Sequence, residues 1–343
     1  MKAVLYNEHG GPEVLRYTDV PDPNPGSHDV VVRVAATSLN RLDVVQRNGW
    51  FTMPGFVFPH ISGMDVAGTI IGLGTEVDGL AMGDRVVIDP SLSEVPNGSK
   101  YAGMGDLYGV LGIIGGTVDG GYAELCLAPH THIHRLPDGY DLEQAATIPT
   151  VYATAWHALF DTGGLSSGET VLIHAAASGV SSAAIQFAKS VGATVLATAG
   201  SSEKETWAKT LGADHTINNR TGDIVGFVRE VTSGHGVDMV LDHVGPAMWE
   251  SSVFALRPRG RLVFVGNTTG NEVPINLGYA YHMGIKFLGS DPYRYEEFAR
   301  MLAAVISGGF RSIVDSRFEL VEAGAAQQRM LASDHAGKIL LVP

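Results

Sequence analysis

The chain has 343 residues, room for about two domains, and its 45% hydrophobic and 17% charged composition excludes a disordered protein. One cysteine, Cys126, excludes an intrachain disulfide and any multi-cysteine zinc site. The formal charge of −13 at pH 7 opposes nucleic acid and anionic lipid, and no unbroken apolar run of about 20 residues is present, so a soluble cytoplasmic protein is expected, bound to neither nucleic acid nor membrane.

The first stretch, residues 1–150, is rich in short β-type runs. Lys2–Tyr6, Val30–Ala36, Gly68–Leu73 and Arg85–Ile88 are β-branched and apolar and lie between turn residues. Pro21–Gly26 reads as a surface loop, because repeated prolines cannot donate to a ladder. Trp50, Phe51, Phe56 and Phe58 gather aromatic area either for an acceptor pocket or for ordinary core. Pro90–Gly121 is Gly-rich and poorly periodic, an irregular excursion in which Tyr101–Gly116, with Gly103, Gly105, Gly109, Gly112, Gly115 and Gly116, suits a lid. His130, His132 and His134 alternate, so a strand there would put all three on one face. That face is read as an edge strand rather than a metal site.

From residue 151 strands and helices alternate. Thr170–His174, Thr194–Thr198, Asp238–Asp242 and Arg261–Val265 read as strands. Val180–Val191, Glu203–Leu211 and Met248–Leu256 read as the intervening helices. That order implies a parallel sheet with right-handed crossovers. Tyr295–Ser307 is helical, and Ile339–Val342 is a closing strand.

The turn after the first of these strands, His174–Ser182, is built of small residues. Small side chains let the backbone approach a pyrophosphate, and the next helix start offers free N–H groups. Ser178, Gly179 and Val180 are its cofactor-binding candidates. The following strand ends not in the Asp or Glu that would hold a ribose 2′-hydroxyl but in Ala199, Gly200, Ser201 and Ser202, then Lys204, with Arg220 after the next strand-like stretch. Hydroxyls and cations suit a 2′-phosphate, so NADPH is expected over NADH. The competing reading makes Ser201 a helix cap and Lys204 a surface residue.

Together these stretches resemble the medium-chain dehydrogenase/reductase superfamily over nearly the whole chain. The matching runs include Ser62–Gly68, Gly83–Val86, Asp119–Glu124, Leu211–Asp214, Asp242–Gly245 and Gly260–Gly266. The resemblance implies an α/β protein with a GroES-like, mostly β catalytic domain from residues 1–150 and 288–343. A Rossmann dinucleotide-binding domain, 151–287, lies between these parts. It also implies a homodimer or homotetramer. The positions matched to catalytic zinc ligands carry Asn40, Met64 and Thr150, and the stretch matched to the structural zinc lobe has no cysteine. An amide, a thioether and a hydroxyl are poor zinc donors. The chain therefore is similar to the zinc-free quinone oxidoreductase branch, with its Asn-x-x-Asp pattern in Asn40–Asp43.

In that branch a hydride passes from the cofactor to a quinone or an α,β-unsaturated carbonyl. The protein supplies orientation and hydrogen bonds to an oxygen that gains charge. Asn40 and Thr154 are the catalytic candidates, and Trp50, Phe51 and Tyr152 the candidates for the substrate pocket. Val244, Gly266, Asn267 and Thr268 match loops that flank the nicotinamide, and Lys338 matches a tail position that touches cofactor or lies at the surface. Asp43 is read as holding its loop. Two rivals stay open: a zinc-type alcohol dehydrogenase with atypical ligands such as His60 and Asp65, and a non-catalytic NADPH-binding sensor.

Overall fold

The alternation of β-type residues in the first stretch becomes a layered, mostly antiparallel structure. In the computed structural model, residues 1–103 and 112–343 are described, so Gly105 and Gly109 of the expected lid lie outside the described residues. β1 (Lys2–Tyr6) pairs with β2 (Arg16–Asp19), which is exposed at every position. β3 (Asp29–Ser38) buries its valines on a long central strand and hands the chain to α1 (Arg41–Arg47). β4 (His60–Ile61) returns to β1, and β5 (Asp65–Leu73) lies antiparallel to β3. β6 (Arg85–Ile88), β7 (Leu125–Pro129) and β8 (Ile133–Arg135) extend the sheet, β6 against β5, β7 against β3 and β8 against β6. Val30, Val32, Val66, Ile70, Val86 and Ile88 form the core between these strands.

His130–His132 is a 3₁₀ turn between β7 and β8, not part of a strand. The three histidines therefore do not share a face. His130 stacks on His28, His132 lies against Tyr295 and His134 against Phe298. α2 (Leu142–Ala146) and α3 (Pro149–Trp156) follow, and α3 widens into a π-helical turn at His157–Thr162.

The second stretch forms one parallel sheet of six strands. β9 (Thr170–Ile173), α4 (Gly179–Ser190), β10 (Thr194–Ala199), α5 (Ser202–Thr210) and β11 (His215–Asn218) make its first half. α6 (Ile224–Val231), β12 (Val237–Asp242), α7 (Pro246–Ala255), β13 (Leu256–Phe264), α8 (Leu277–Met283) and β14 (Lys286–Gly289) make the second. The strand order β11-β10-β9-β12-β13-β14 reverses direction between β9 and β12. This is a Rossmann sheet, and a reversal of this kind opens a crevice outside the carboxyl ends of the strands.

α9 (Tyr295–Gly308), β15 (Val314–Glu319), α10 (Ala323–Leu331) and β16 (Lys338–Val342) complete the chain, with β16 joining β3. Two compact units result: Met1–Thr150 with Arg294–Leu302 and Ser312–Pro343, and Val151–Tyr293 with Ala303–Arg311. Residues 288–293 and 303–311, expected with the catalytic domain, group with the second unit instead. The reason is local: β14 pairs with β13, and Phe310 packs on Phe187. Among the described residues no helix is long and apolar enough to cross a membrane.

Candidate active site

Every cofactor-binding candidate falls at a carboxyl end of the parallel sheet. Ser178, Gly179 and Val180 follow β9, and Ser201 and Lys204 follow β10. Arg220 follows β11, Val244 follows β12, and Gly266, Asn267 and Thr268 follow β13. The turn after β9 bends through Ala175, which holds a positive φ of 51°. Ser178 caps α4 by accepting from the Ser181 N–H at 3.1 Å. The N–H groups of Gly179 and Val180 stand at the open end of this helix, where the dipole and free donors favour an anion. These residues fit a pyrophosphate.

Behind that turn lies a polar network absent from the sequence reading. The Ser181 hydroxyl donates to the His174 carbonyl at 2.6 Å, so toward His243 Nε2, 2.9 Å away, it can only accept. His243 Nε2 therefore carries the proton, and it also lies 2.9 Å from Ser178 Oγ. Ser178 Oγ thus accepts from both Ser181 and His243. His174, wholly buried, bridges Thr198 Oγ1 at 3.1 Å and Ser252 Oγ at 2.9 Å. Burial pushes its imidazole down to about 4, so it is neutral. Asp242 Oδ1 takes the N–H groups of Val244 (2.7 Å) and Gly245 (3.0 Å), which shapes the loop after β12. The Thr268 hydroxyl and the Thr269 N–H and hydroxyl bond the carbonyls of His243 and Val244, stitching the loops after β12 and β13 together.

At the end of β10, Ser201 caps α5 by accepting from the Lys204 N–H at 3.3 Å. Its oxygen is thus used in the fold while its proton remains a donor. Arg220 lies over Gly200: a Cβ there would meet Arg220 Nε at 3.3 Å. The arginine and the serine therefore share one end of the strand.

In the first unit the catalytic candidates join a second network. Asn40 is the last residue before α1, and its backbone N–H donates to Asp43 Oδ2 at 2.8 Å. Its side-chain Nδ2 donates to Asp65 Oδ2 at 2.8 Å, and its Oδ1 accepts from Lys338 Nζ at 2.8 Å. Asp65 also takes Ser38 Oγ (2.7 Å), Lys338 Nζ (3.0 Å), and both the N–H (2.8 Å) and hydroxyl (2.6 Å) of Thr150. Burial alone would raise the Asp65 carboxyl, but the Lys338 charge and the donors from Thr150, Asn40 and Ser38 hold it below the usual range. Asp43 has no such cation in contact. Burial and the Asp65 charge outweigh the Asn40 and Tyr122 donors and raise it to about 7. Lys338, expected at the surface or on cofactor, is buried in this network.

These surroundings do not fit zinc. Asn40 and Thr150 are spent on Asp65, Met64 offers a thioether, and the Lys338 ammonium already supplies a positive charge at Asp65. The atypical pair fares no better. His60 donates Nε2 to the Gly115 carbonyl at 3.1 Å, and both Asp65 oxygens are occupied. Cys126 lies on β7, its thiol pushed up to about 12 by burial.

The aromatic candidates separate. Phe56 and Phe58 pack with Tyr6, His9 and His60, whereas Trp50 and Phe51 are 64% and 52% exposed. Tyr152 does not line a surface. It is fully buried against Phe187, with its hydroxyl 3.2 Å from Gln186 Nε2. Thr154, on the same helix, is half-buried. A cavity of about 390 Å³ in the first unit, lined by Leu5, Pro21, Ile61, Tyr101, Leu125 and Leu127, includes none of these residues.

A GroES-like β unit with a buried polar network and a Rossmann unit whose first turn fits a pyrophosphate are the parts of a nucleotide-dependent oxidoreductase. Comparison with known proteins agrees. The alcohol dehydrogenase GroES-like domain family matches residues 26–138, and the zinc-binding dehydrogenase family matches residues 179–307. A quinone oxidoreductase of Pseudomonas aeruginosa is 34% identical over 351 residues, spanning 100% of this chain and 99% of that protein. A solved NAD-dependent alcohol dehydrogenase is 36% identical, with a TM-score of 0.92 and complete coverage of both chains. A mycobacterial protein solved with NADPH is 29% identical, with a TM-score of 0.83 and complete coverage of both. The chain belongs to the medium-chain dehydrogenase/reductase superfamily and is an NAD(P)H-dependent oxidoreductase.

Proposed function

We propose that this protein is a zinc-independent reductase that uses NADPH to reduce quinones or α,β-unsaturated carbonyls. The observation that carries the reading is the committed network of Asn40, Asp65, Thr150 and Lys338, standing where a zinc dehydrogenase needs metal ligands. Nothing there ionises an alcohol, so an acceptor that is already electrophilic suits the site better. When bound, the cofactor supplies a hydride, and with one proton from solvent a quinone leaves as its hydroquinone. Asn40 keeps one side-chain N–H for the acceptor oxygen as it gains charge. The exposed apolar Trp50 and Phe51 suit a flat, apolar acceptor. Ser201, Lys204 and Arg220, gathered after β10 and β11, suit a 2′-phosphate, and β10 itself ends in Ala199, with Gly200 next, rather than in a carboxylate that would hold a bare ribose. The likeness to an NAD-dependent alcohol dehydrogenase favours NADH as the rival cofactor. Self-association and a cytoplasmic setting belong to the same reading. The exposed Leu277 and Tyr281 of α8, beside the edge strand β14, support the first.

The test is oxidation of NADPH and of NADH by chelator-treated protein, with a naphthoquinone and an α,β-unsaturated ketone as acceptors. Turnover that survives chelation and prefers NADPH is expected. Activity that vanishes with chelator and returns with Zn²⁺ would overturn the zinc-independent chemistry. A preference for NADH would overturn the cofactor assignment alone.

A further inference from the structure

We propose that Lys338 is a positioning residue for this reaction, orienting the Asn40 amide through a buried ion pair with Asp65. The proposal rests on the reading above, in which Asn40 meets the acceptor oxygen. Lys338 stands 298 residues from Asn40 in the chain, yet both are buried in one polar cluster.

The Lys338 ammonium has three N–H bonds, and three acceptors surround it: the Leu39 carbonyl at 2.8 Å, Asn40 Oδ1 at 2.8 Å and Asp65 Oδ2 at 3.0 Å. An ammonium can only donate and a carboxylate can only accept. Lys338 therefore requires the oxygen of Asn40 on its side, and Asp65 requires the nitrogen on the other. Turning the amide over would set NH₂ against the ammonium and C=O against the carboxylate, two repulsive contacts in a buried site. The amide has one orientation, and its remaining N–H has one direction.

Lys338 contributes in two further ways. Its charge on Oδ1 polarises the amide and makes that remaining N–H a stronger donor. It also neutralises Asp65, which would otherwise place a buried anion beside an oxygen that gains negative charge. The backbone is arranged to deliver the side chain. Gly337 holds a φ of +77°, and the Lys338 N–H bonds the Ile313 carbonyl at 2.8 Å as β16 begins.

The experiment combines kinetics with a spectroscopic readout of the amide. In asparagine-labelled ¹⁵N protein, with the Asn40→Ala variant assigning the signals, the two side-chain protons of Asn40 are expected at separate, dispersed shifts. In Lys338→Met they are expected to move toward the shifts of a free amide. Quinone reduction by Lys338→Met is expected to lose about 10- to 100-fold in kcat, the cost of a misplaced site group, with the KM for NADPH unchanged. In the Asn40→Ala background the same substitution should cost much less, since only the unneutralised Asp65 charge is then left to act.

Unchanged Asn40 side-chain signals would overturn the proposal whatever the activity. So would an equal kcat loss in the Asn40→Ala background, or a raised KM for NADPH at normal kcat. Lys338→Gln, whose amide still offers N–H donors to Asn40 Oδ1, serves if the methionine variant does not fold, and it should retain more kcat than methionine. A wild-type protein that reduces neither quinone nor enone would refute the functional reading, and the amide spectra would then decide the role of Lys338 alone.

Discussion

Asp43 and Asp65 lie in one buried cluster, yet their ionisation is pushed in opposite directions. Asp65 has a cation and hydroxyl donors, while Asp43 has the Asn40 N–H and the Tyr122 hydroxyl at 3.1 Å. The Asp43 carboxyl sits at about 7, against an ordinary 3.8, so the folded chain holds its proton where the unfolded chain has released it. Its contribution to stability is complete below the unfolded value and is lost as pH rises through about 7. Asp43→Asn keeps an acceptor for Asn40 and removes the titration. Going from pH 5 to 8, the variant should gain about 2 kcal/mol on the wild type, read from urea midpoints at each pH. A constant difference between the two proteins would show that Asp43 is ionised throughout. Asn40, Asp43, Asp65, Thr150 and Lys338 could be picked from the sequence by type or by motif, whereas Ser38 and Tyr122 could not. What could not be read was the link from Lys338 to Asn40, because nothing local in either segment points at the other. For the same reason His174 and His243 escaped notice: their roles come from strands that meet only in the folded sheet.

At the scale of the element, strands with apolar alternation or continuous burial were legible, and exposed ones were faint or missed. β9, β10 and β12 are buried along nearly their whole length and announce themselves. β2 is exposed throughout and has no apolar pattern to read, and β11, with no fully buried position, shows only as a strand-like stretch before Arg220. The histidine run fails differently, since His130–His132 coil into a 3₁₀ turn that breaks the period of two. The entry to β16 carries a sharper constraint. Gly337 combines a positive φ with a close approach: a Cβ there would lie 2.0 Å from the Ile313 carbonyl oxygen. Gly79 has a similar φ of +76° but open space around it. Gly79→Ala should cost about 1 kcal/mol, the left-handed penalty alone. Gly337→Ala should cost about 1–3 kcal/mol more through the clash, and should lower kcat by displacing Lys338. Thermal unfolding of the two variants decides the order, and equal losses would sink the argument.

The balance of buried titratable groups sets how the whole molecule meets acid. His132 and His134 in the first unit and His174 in the second are each held neutral by burial, down at about 4 against an ordinary 6.5. Their native environments refuse a proton that the unfolded chain accepts, so their contribution is complete above pH 6.5 and is lost as pH falls toward 4. Asp43 pulls the other way over nearly the same range, with a single proton. His60 and His243 are also held below the usual range by burial, so roughly two or more net protons are taken up on unfolding, a loss of about 2–3 kcal/mol per pH unit near pH 5. Asp65, held low by Lys338, adds its own loss at still lower pH. Both units carry part of this load, so both should melt earlier in acid. The measurement is the melting temperature at pH 7.5, 6 and 5. It should fall steeply below pH 6, and His134→Gln should flatten the fall because it deletes one refused proton where the ring meets Phe298. A melting temperature that stays level to pH 5 would mean that these imidazoles titrate freely in the folded protein, and the burial argument would fail for all three.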